Sequence, residues 1–176
     1  MITIIFESHS TSYDNEARLA SGWHDVDLSP MGINNSLELG KRYADQLPDV
    51  IFCSDLQRSY KTAVRAFCNT NVPIIIDSRL RECDYGALTQ ASRIVIESQR
   101  IQRIDEPFPG GESFREISDR MKSFINDLVI LYKDKKVLII GHRATQYGLE
   151  EHIVKKDLKK ILEDSWTWQP GWIYLI

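Results

Sequence analysis

Apolar and polar positions change in blocks along this chain. Residues 2–7 (ITIIFE) are a short run rich in isoleucine, and Val50–Cys53 (VIFC), 73–77 (PIIID) and Lys136–Gly141 (KVLIIG) repeat the theme. Runs this short and this uniformly apolar read as strands buried on both faces. Between them, apolar residues recur at helical spacing. Leu37, Leu39, Tyr43, Ala44 and Leu47 follow Pro30, which suits a first helical turn after Ser29, and the stripe stops at Pro48. Leu56, Tyr60, Ala63, Val64 and Phe67 mark a second helix, with Ser54 or Asp55 as its N-cap. A third falls near 91–102. The fourth is the most regular: Ser113 and Glu116 have the spacing of a capping box, and Phe114, Ile117, Met121, Phe124, Leu128 and Leu131 keep one face apolar. Helices over 143–154 and 157–163 follow. The end, WTWQPGWIYLI, turns at Pro170 and Gly171 and returns as a strand.

Strands that alternate with helices predict an α/β fold, a three-layer α/β/α sandwich with a mainly parallel central sheet. A chain of 176 residues fits one domain, 1–176. Residues 8–29 are polar and read as a long ordered loop. In such sheets ligands gather at the carboxyl ends of the strands. Four polar clusters fall at or soon after those ends: His9, the segment 54–58 with Ser54 and Arg58, Arg81 with Glu82, and His142 with Arg143.

Composition narrows the partners. Lys and Arg number 22 against 25 Asp and Glu, a net charge of −3 with both signs interspersed, so no basic footprint argues for nucleic acid. No stretch approaches the ~20 apolar residues of a membrane span. The first residues lack the basic start and the long apolar run of a signal peptide. The three cysteines, 53, 68 and 83, form no close pair, which makes a reducing cytoplasm the default, with Cys53 and Cys68 as small core residues.

Each candidate has a functional and a plain reading. His9 at a strand end is either a space-filling ring bonded to backbone or a nucleophile or acid/base, since imidazole is neutral and reactive near pH 7. His142 has the same setting after Gly141, where a small residue lets the chain approach a ligand closely. Arg58 near a helix start favours an anion such as phosphate, or is a solvated surface arginine. Glu82 in LRECDYG is either a partly buried carboxyl, kept protonated as an acid catalyst needs, or a surface partner of Arg79 or Arg81. His24 could line a pocket mouth, and His152 reads as structural. A metal site from His9, His24 and His142 with Asp25 or Asp27 lacks any tight ligand pair, so no metal is expected. Trp166, Trp168 and Trp172 read as a seal over a sheet edge or the base of the core.

Taken together, these pieces resemble the histidine phosphatase superfamily, the phosphoglycerate-mutase-like fold. The family's Arg-His-Gly, Thr and Asn correspond to Ser8-His9-Ser10, Ser12 and Asn15. Further matching segments are GWHDVDLSPMG (22–32), SDLQRSYKTA (54–63), LRECDYG (80–86), GGES (110–113) and VLIIGH (137–142), in the family's order. The resemblance implies a metal-independent phosphomonoesterase with no cofactor. His9 would take the phosphoryl group, Arg58 and His142 would hold its oxygens, and Glu82 would act as general acid and base. Ser54, Ser12 and Asn15 would add donors or hold the loop. It also implies a bell-shaped rate profile in the mildly acidic to neutral range.

Two departures meet at one place. The family arginine before the nucleophile is Ser8, and the glycine common after the second histidine is Arg143. Arg143 is therefore expected to replace the lost charge, with Arg18, Arg100 and Arg103 as other donors. The short chain favours a phosphatase over a mutase, acting on a small phosphorylated metabolite. The alternative is a phosphate-binding regulatory protein of the same fold that has lost catalysis with Ser8. Monomer and homodimer both stay open.

Overall fold

The computed structural model describes residues 1–176. Strands β1 (Thr3–Ser8), β2 (Val50–Cys53), β3 (Ile74–Ile76), β4 (Lys136–Gly141) and β5 (Trp172–Leu175) form one five-stranded sheet in the order β3-β2-β4-β1-β5. The first four are parallel, and β5 runs antiparallel along β1. The helices are α1 (Tyr13–Glu16), α2 (Pro30–Tyr43), α3 (Gln57–Ala66), α4 (Arg93–Gln99), α5 (Phe114–Leu131), α6 (Arg143–Leu149) and α7 (Leu158–Glu163).

The apolar strands serve two cores at once. Ile4, Phe6, Val50, Phe52, Val137 and Ile139 pack with residues of α5, α6 and α7, whereas Ile5, Ile51, Cys53, Leu138 and Ile140 pack with Leu39, Tyr43, Ala63 and Phe67. Successive side chains point to opposite faces of a sheet, so a run of consecutive apolar residues is what a sheet covered on both sides favours. The expected three-layer α/β fold is therefore found.

Several local expectations are corrected. The segment 8–29 is not loop throughout. It contains α1, which starts because the Ser12 hydroxyl accepts the Asn15 N–H at 3.2 Å and Asn15 Oδ1 accepts the Ser12 N–H at 3.0 Å. Helix α3 has Leu56 as its N-cap residue, with no side-chain cap. Ser54 and Asp55 are engaged elsewhere, with His142 and Arg81. The buried face of α3 carries Arg58, Ser59, Thr62 and Ala63, and Tyr60 and Val64 are exposed. Leu37, Leu47 and Leu131 are exposed as well. The helix expected near 91–102 shortens to α4, and the one expected over 143–154 is α6 followed by a wider π turn, Glu150–Val154. Cys68 is exposed just beyond α3, whereas Cys53 and Cys83 are buried.

Candidate active site

Strand register builds the centre of the site. Ser8 on β1 stands opposite Gly141 on β4, and the His9 N–H donates to the Gly141 carbonyl at 2.9 Å. Adjacent parallel strands therefore end at one level, and the next residue of each is a histidine. The two imidazole rings lie 5.0 Å apart at the floor of a cleft of about 740 Å³. Cys53 on β2 stands opposite Ile140, which brings Ser54 beside the same pair.

The hydrogen bonds assign a task to each ring nitrogen. His9 Nδ1 lies 2.7 Å from the Ser10 carbonyl oxygen, an acceptor only, so Nδ1 carries the proton. Nε2 keeps its lone pair. His142 Nε2 lies 2.7 Å from the Ser54 hydroxyl, while His142 Nδ1 is buried with no partner. A Ser54 hydroxyl that donates to Nε2 places the proton on Nδ1, where it awaits an acceptor. Burial and the nearby Arg58 guanidinium depress both rings: His9 falls to about 3, with Arg93 adding a smaller push, and His142 lies well below the ordinary histidine value. Both are neutral at physiological pH. Gly141 meets a packing demand that the sequence did not show. A Cβ there would stand 2.9 Å from the Thr145 hydroxyl, which accepts the His142 N–H and donates to the Leu80 carbonyl.

Arg58 is the largest fully buried side chain in the chain, at 1% exposure. It does not point to solvent. Its two terminal nitrogens donate to the carbonyls of His24 (3.0 Å) and Gly22 (2.7 Å). Gly22 makes this turn at φ +51°, in the left-handed region that suits glycine, and a Cβ there would press on the Tyr85 ring at 3.1 Å. Charge from Arg58 is thus fixed beside the two histidines by the loop after β1.

Glu82 lines the cleft, half-buried, and neither expected partner takes it. Arg79 binds Asp77 and Asp127, and Arg81 binds Asp55. Glu82 Oε1 accepts the Cys83 N–H at 2.8 Å, and Oε2 has no partner. Ser8 and Asn15 also line the cleft. Ser12 does not: it is fully buried and holds the loop. His24 stays outside as well, facing Asp14 at 3.3 Å, and contributes only its carbonyl. No three His, Cys, Asp or Glu side chains converge as a metal site would require. His152 bonds Ser118.

Known proteins resemble this chain in sequence and fold. Residues 4–167 match the model of the histidine phosphatase superfamily (branch 1). The chain belongs to that superfamily. Phosphoserine phosphatase 1 of Hydrogenobacter thermophilus is 26% identical over 171 residues, covering 91% of this chain and 80% of its own. The 2,3-bisphosphoglycerate-dependent phosphoglycerate mutase of Tropheryma whipplei (strain Twist) is 27% identical, over 87% and 83%. Among solved structures, Bacillus stearothermophilus YhfR superposes with a TM-score of 0.86 at 21% identity, over 98% of this chain and 90% of that one. A mycobacterial glucosyl-3-phosphoglycerate phosphatase in complex with VO3 gives 0.81 at 22%, over 91% and 85%.

Within this histidine phosphatase framework, the unusual Arg143 lies in the cleft wall as the first residue of α6. It donates to Glu97 at 3.2 Å, lies over the rings of Tyr147 and Trp166, and keeps a buried Nε without a partner. Arg18, Arg100 and Arg103 stay out of the wall, and Arg103 is spent on Gln99, Glu106 and the Pro107 carbonyl. Sequence reasoning missed Arg42, Glu7 and Arg93, all in the wall. Glu7 was a signal. A carboxylate in an apolar strand needs a buried partner, and it accepts from Arg42 (2.9 Å) and Tyr43 (2.7 Å). Trp172 does pack on Phe6 near the sheet edge, but Trp166 and Trp168 line the cleft, which corrects the reading of all three as a seal.

Proposed function

We propose that the chain is a phosphatase that hydrolyses a small phosphomonoester through a phosphohistidine on His9. The observation that carries this reading is the pair of neutral imidazoles 5.0 Å apart, one with a free Nε2 lone pair and one with a buried, unpartnered Nδ1.

The sequence of bonds is as follows. His9 Nε2 attacks phosphorus, and the bond to the ester oxygen breaks. The leaving oxygen takes a proton from the Glu82 carboxyl. A neutral imidazole approaches the anionic ester without charge repulsion. Negative charge on the phosphoryl oxygens is met by Arg58 and by the His142 Nδ1–H, donors already in place before the reaction. In the second half, water gives its proton to Glu82 as its oxygen attacks phosphorus. The N–P bond breaks, and neutral His9 returns with free phosphate. Every group in the scheme is a side chain of this protein. Arg143, in the cleft wall with its Nε uncommitted, supplies the charge that Ser8 lacks. Similarity to proteins named as phosphoserine and glucosyl-3-phosphoglycerate phosphatases supports hydrolysis.

Ser8 gives force to a second reading, a phosphate-binding protein without turnover. One experiment separates the two. Phosphate release from a panel of phosphomonoesters is measured with and without chelator, for wild type and His9→Ala, and acid-labile phosphate on His9 is sought by mass spectrometry after rapid quenching. Chelator-resistant turnover, lost in His9→Ala and accompanied by phospho-His9, is the expected result. Folded protein that binds phosphate yet neither turns over nor becomes phosphorylated would favour the second reading.

A further inference from the structure

Two tryptophans from the segment between α7 and β5 stand in the cleft wall, and only one is committed to the fold. Trp166 stacks on Trp172 with centroids 5.8 Å apart and planes 27° from parallel. It donates its indole N–H to Gln146 at 2.6 Å and lies 5.6 Å from the Arg143 guanidinium. It therefore anchors the segment. Trp168, two residues on, lines the same cleft as His9 but is 54% exposed, and no ring, cation or hydrogen-bond partner engages it. An indole left to water beside a catalytic floor forgoes a large apolar burial that a bound ring would restore.

The wall also carries apolar Leu19, Ala20, Leu39 and Ile96 and the ring of Tyr85, with polar side chains among them. Asn35 and Glu38 come from α2, and Arg93 and Glu97 stand one helical turn apart on α4. The Arg93 guanidinium has no ion-pair or hydrogen-bond partner, although it is close enough to His9 to act on its proton affinity. An uncommitted aromatic surface in a wall that also carries several hydrogen-bonding groups suits a ring with an apolar face and a hydroxylated edge. A compact, acyclic alcohol held at the phosphate end would leave the indole uncovered.

We propose that Trp168 is the platform for the leaving group, and that the substrate is the phosphate ester of a ring-bearing alcohol, a cyclic sugar or a nucleoside. This rests on the phosphatase reading of the same cleft.

The test compares wild type, Trp168→Ala and Trp168→Phe on a hexopyranose phosphate, a nucleoside monophosphate and glycerol phosphate. The expected result is a KM for at least one ring ester that rises about tenfold in Trp168→Ala, is largely restored in Trp168→Phe, and leaves glycerol phosphate unchanged. Whichever ring ester responds identifies the source of the ring. An equal change for all three esters, or no change for any, overturns the proposal. Calorimetric titration of the same esters into His9→Ala, with and without Trp168→Ala, reads the platform without turnover. Ring-selective affinity lost with Trp168 supports the platform even if the phosphatase reading fails. Affinity indifferent to Trp168 overturns it even if hydrolysis is found.

Discussion

At the scale of single residues, the site is set by which nitrogen carries which proton. The Ser10 carbonyl fixes the proton of His9 on Nδ1, and burial with Arg58 brings its pKa down to about 3. At pH 5 an ordinary histidine is cationic, yet His9 is expected to remain neutral. Imidazole nitrogen shifts from 15N-labelled protein, assigned against His9→Ala, check this directly; a protonated ring at pH 5 would contradict it. His142 depends on Ser54 in the same way. Ser54→Ala removes the hydroxyl that holds the proton on Nδ1, so kcat should fall by about tenfold or more with KM little altered, because the lost donor acts on charge developing in the transition state. A change confined to KM would assign Ser54 to substrate binding instead. Arg143→Ala tests the replacement of the missing arginine. Turnover should drop by roughly a hundredfold on the scale of one lost oxyanion donor. Adding Ser8→Arg to that variant should recover part of it, whereas unchanged turnover in Arg143→Ala alone would remove Arg143 from the mechanism.

At the scale of elements, α3 is the part whose behaviour departs most from its pattern. Its apolar stripe includes Tyr60 and Val64, which face solvent, and its buried side is polar because it bonds the sheet end and the loop after β1. The Ser59 hydroxyl donates to the Ile140 carbonyl at 2.7 Å and accepts the Ser54 N–H at 3.1 Å, and Thr62 accepts the Ser10 N–H at 3.0 Å. Ser59→Ala leaves two buried backbone groups without partners, so urea denaturation should show a loss of about 1–3 kcal/mol. A loss of only a few tenths would mean that water takes over the hydroxyl's bonds. The parallel strands were legible because each holds a run of three or more consecutive apolar residues, which suits a doubly covered sheet. That His9, Ser54 and His142 meet in one place was legible because they directly follow those strands. The rotation of α3, the commitment of Ser54 and Asp55 away from its cap, and the turning of Trp166 and Trp168 into the cleft were not. Each depends on a partner distant in sequence, such as His142, Arg81 or Gln146, and local periodicity carries no record of such partners.

At the scale of the whole molecule, the same buried imidazoles that suit the chemistry tie folding to pH. In the unfolded chain a histidine titrates near its ordinary value of about 6.5. In the folded chain burial and Arg58 hold His142 well below that value and His9 at about 3, and Arg93 and Arg120 add to the same direction. Between those limits the unfolded state binds more protons than the folded one, so stability rises with pH across the window and falls as pH drops below about 6.5. Each such group adds up to about 1.4 kcal/mol per pH unit to the slope. Most carboxylates titrate lower, so denaturation midpoints between pH 6.5 and 5 isolate the histidine contribution. His24 and His152 are common to every variant compared. His142→Gln should lose some stability at pH 7.5 but show a visibly shallower decline towards pH 5 than wild type. Equal slopes would mean that His142 is protonated in the folded protein. Inorganic phosphate should stabilise the wild type most at the acid end of the range, since an anion over Arg58 lowers the cost of protonating either ring. A phosphate effect independent of pH would place the bound anion away from the two histidines.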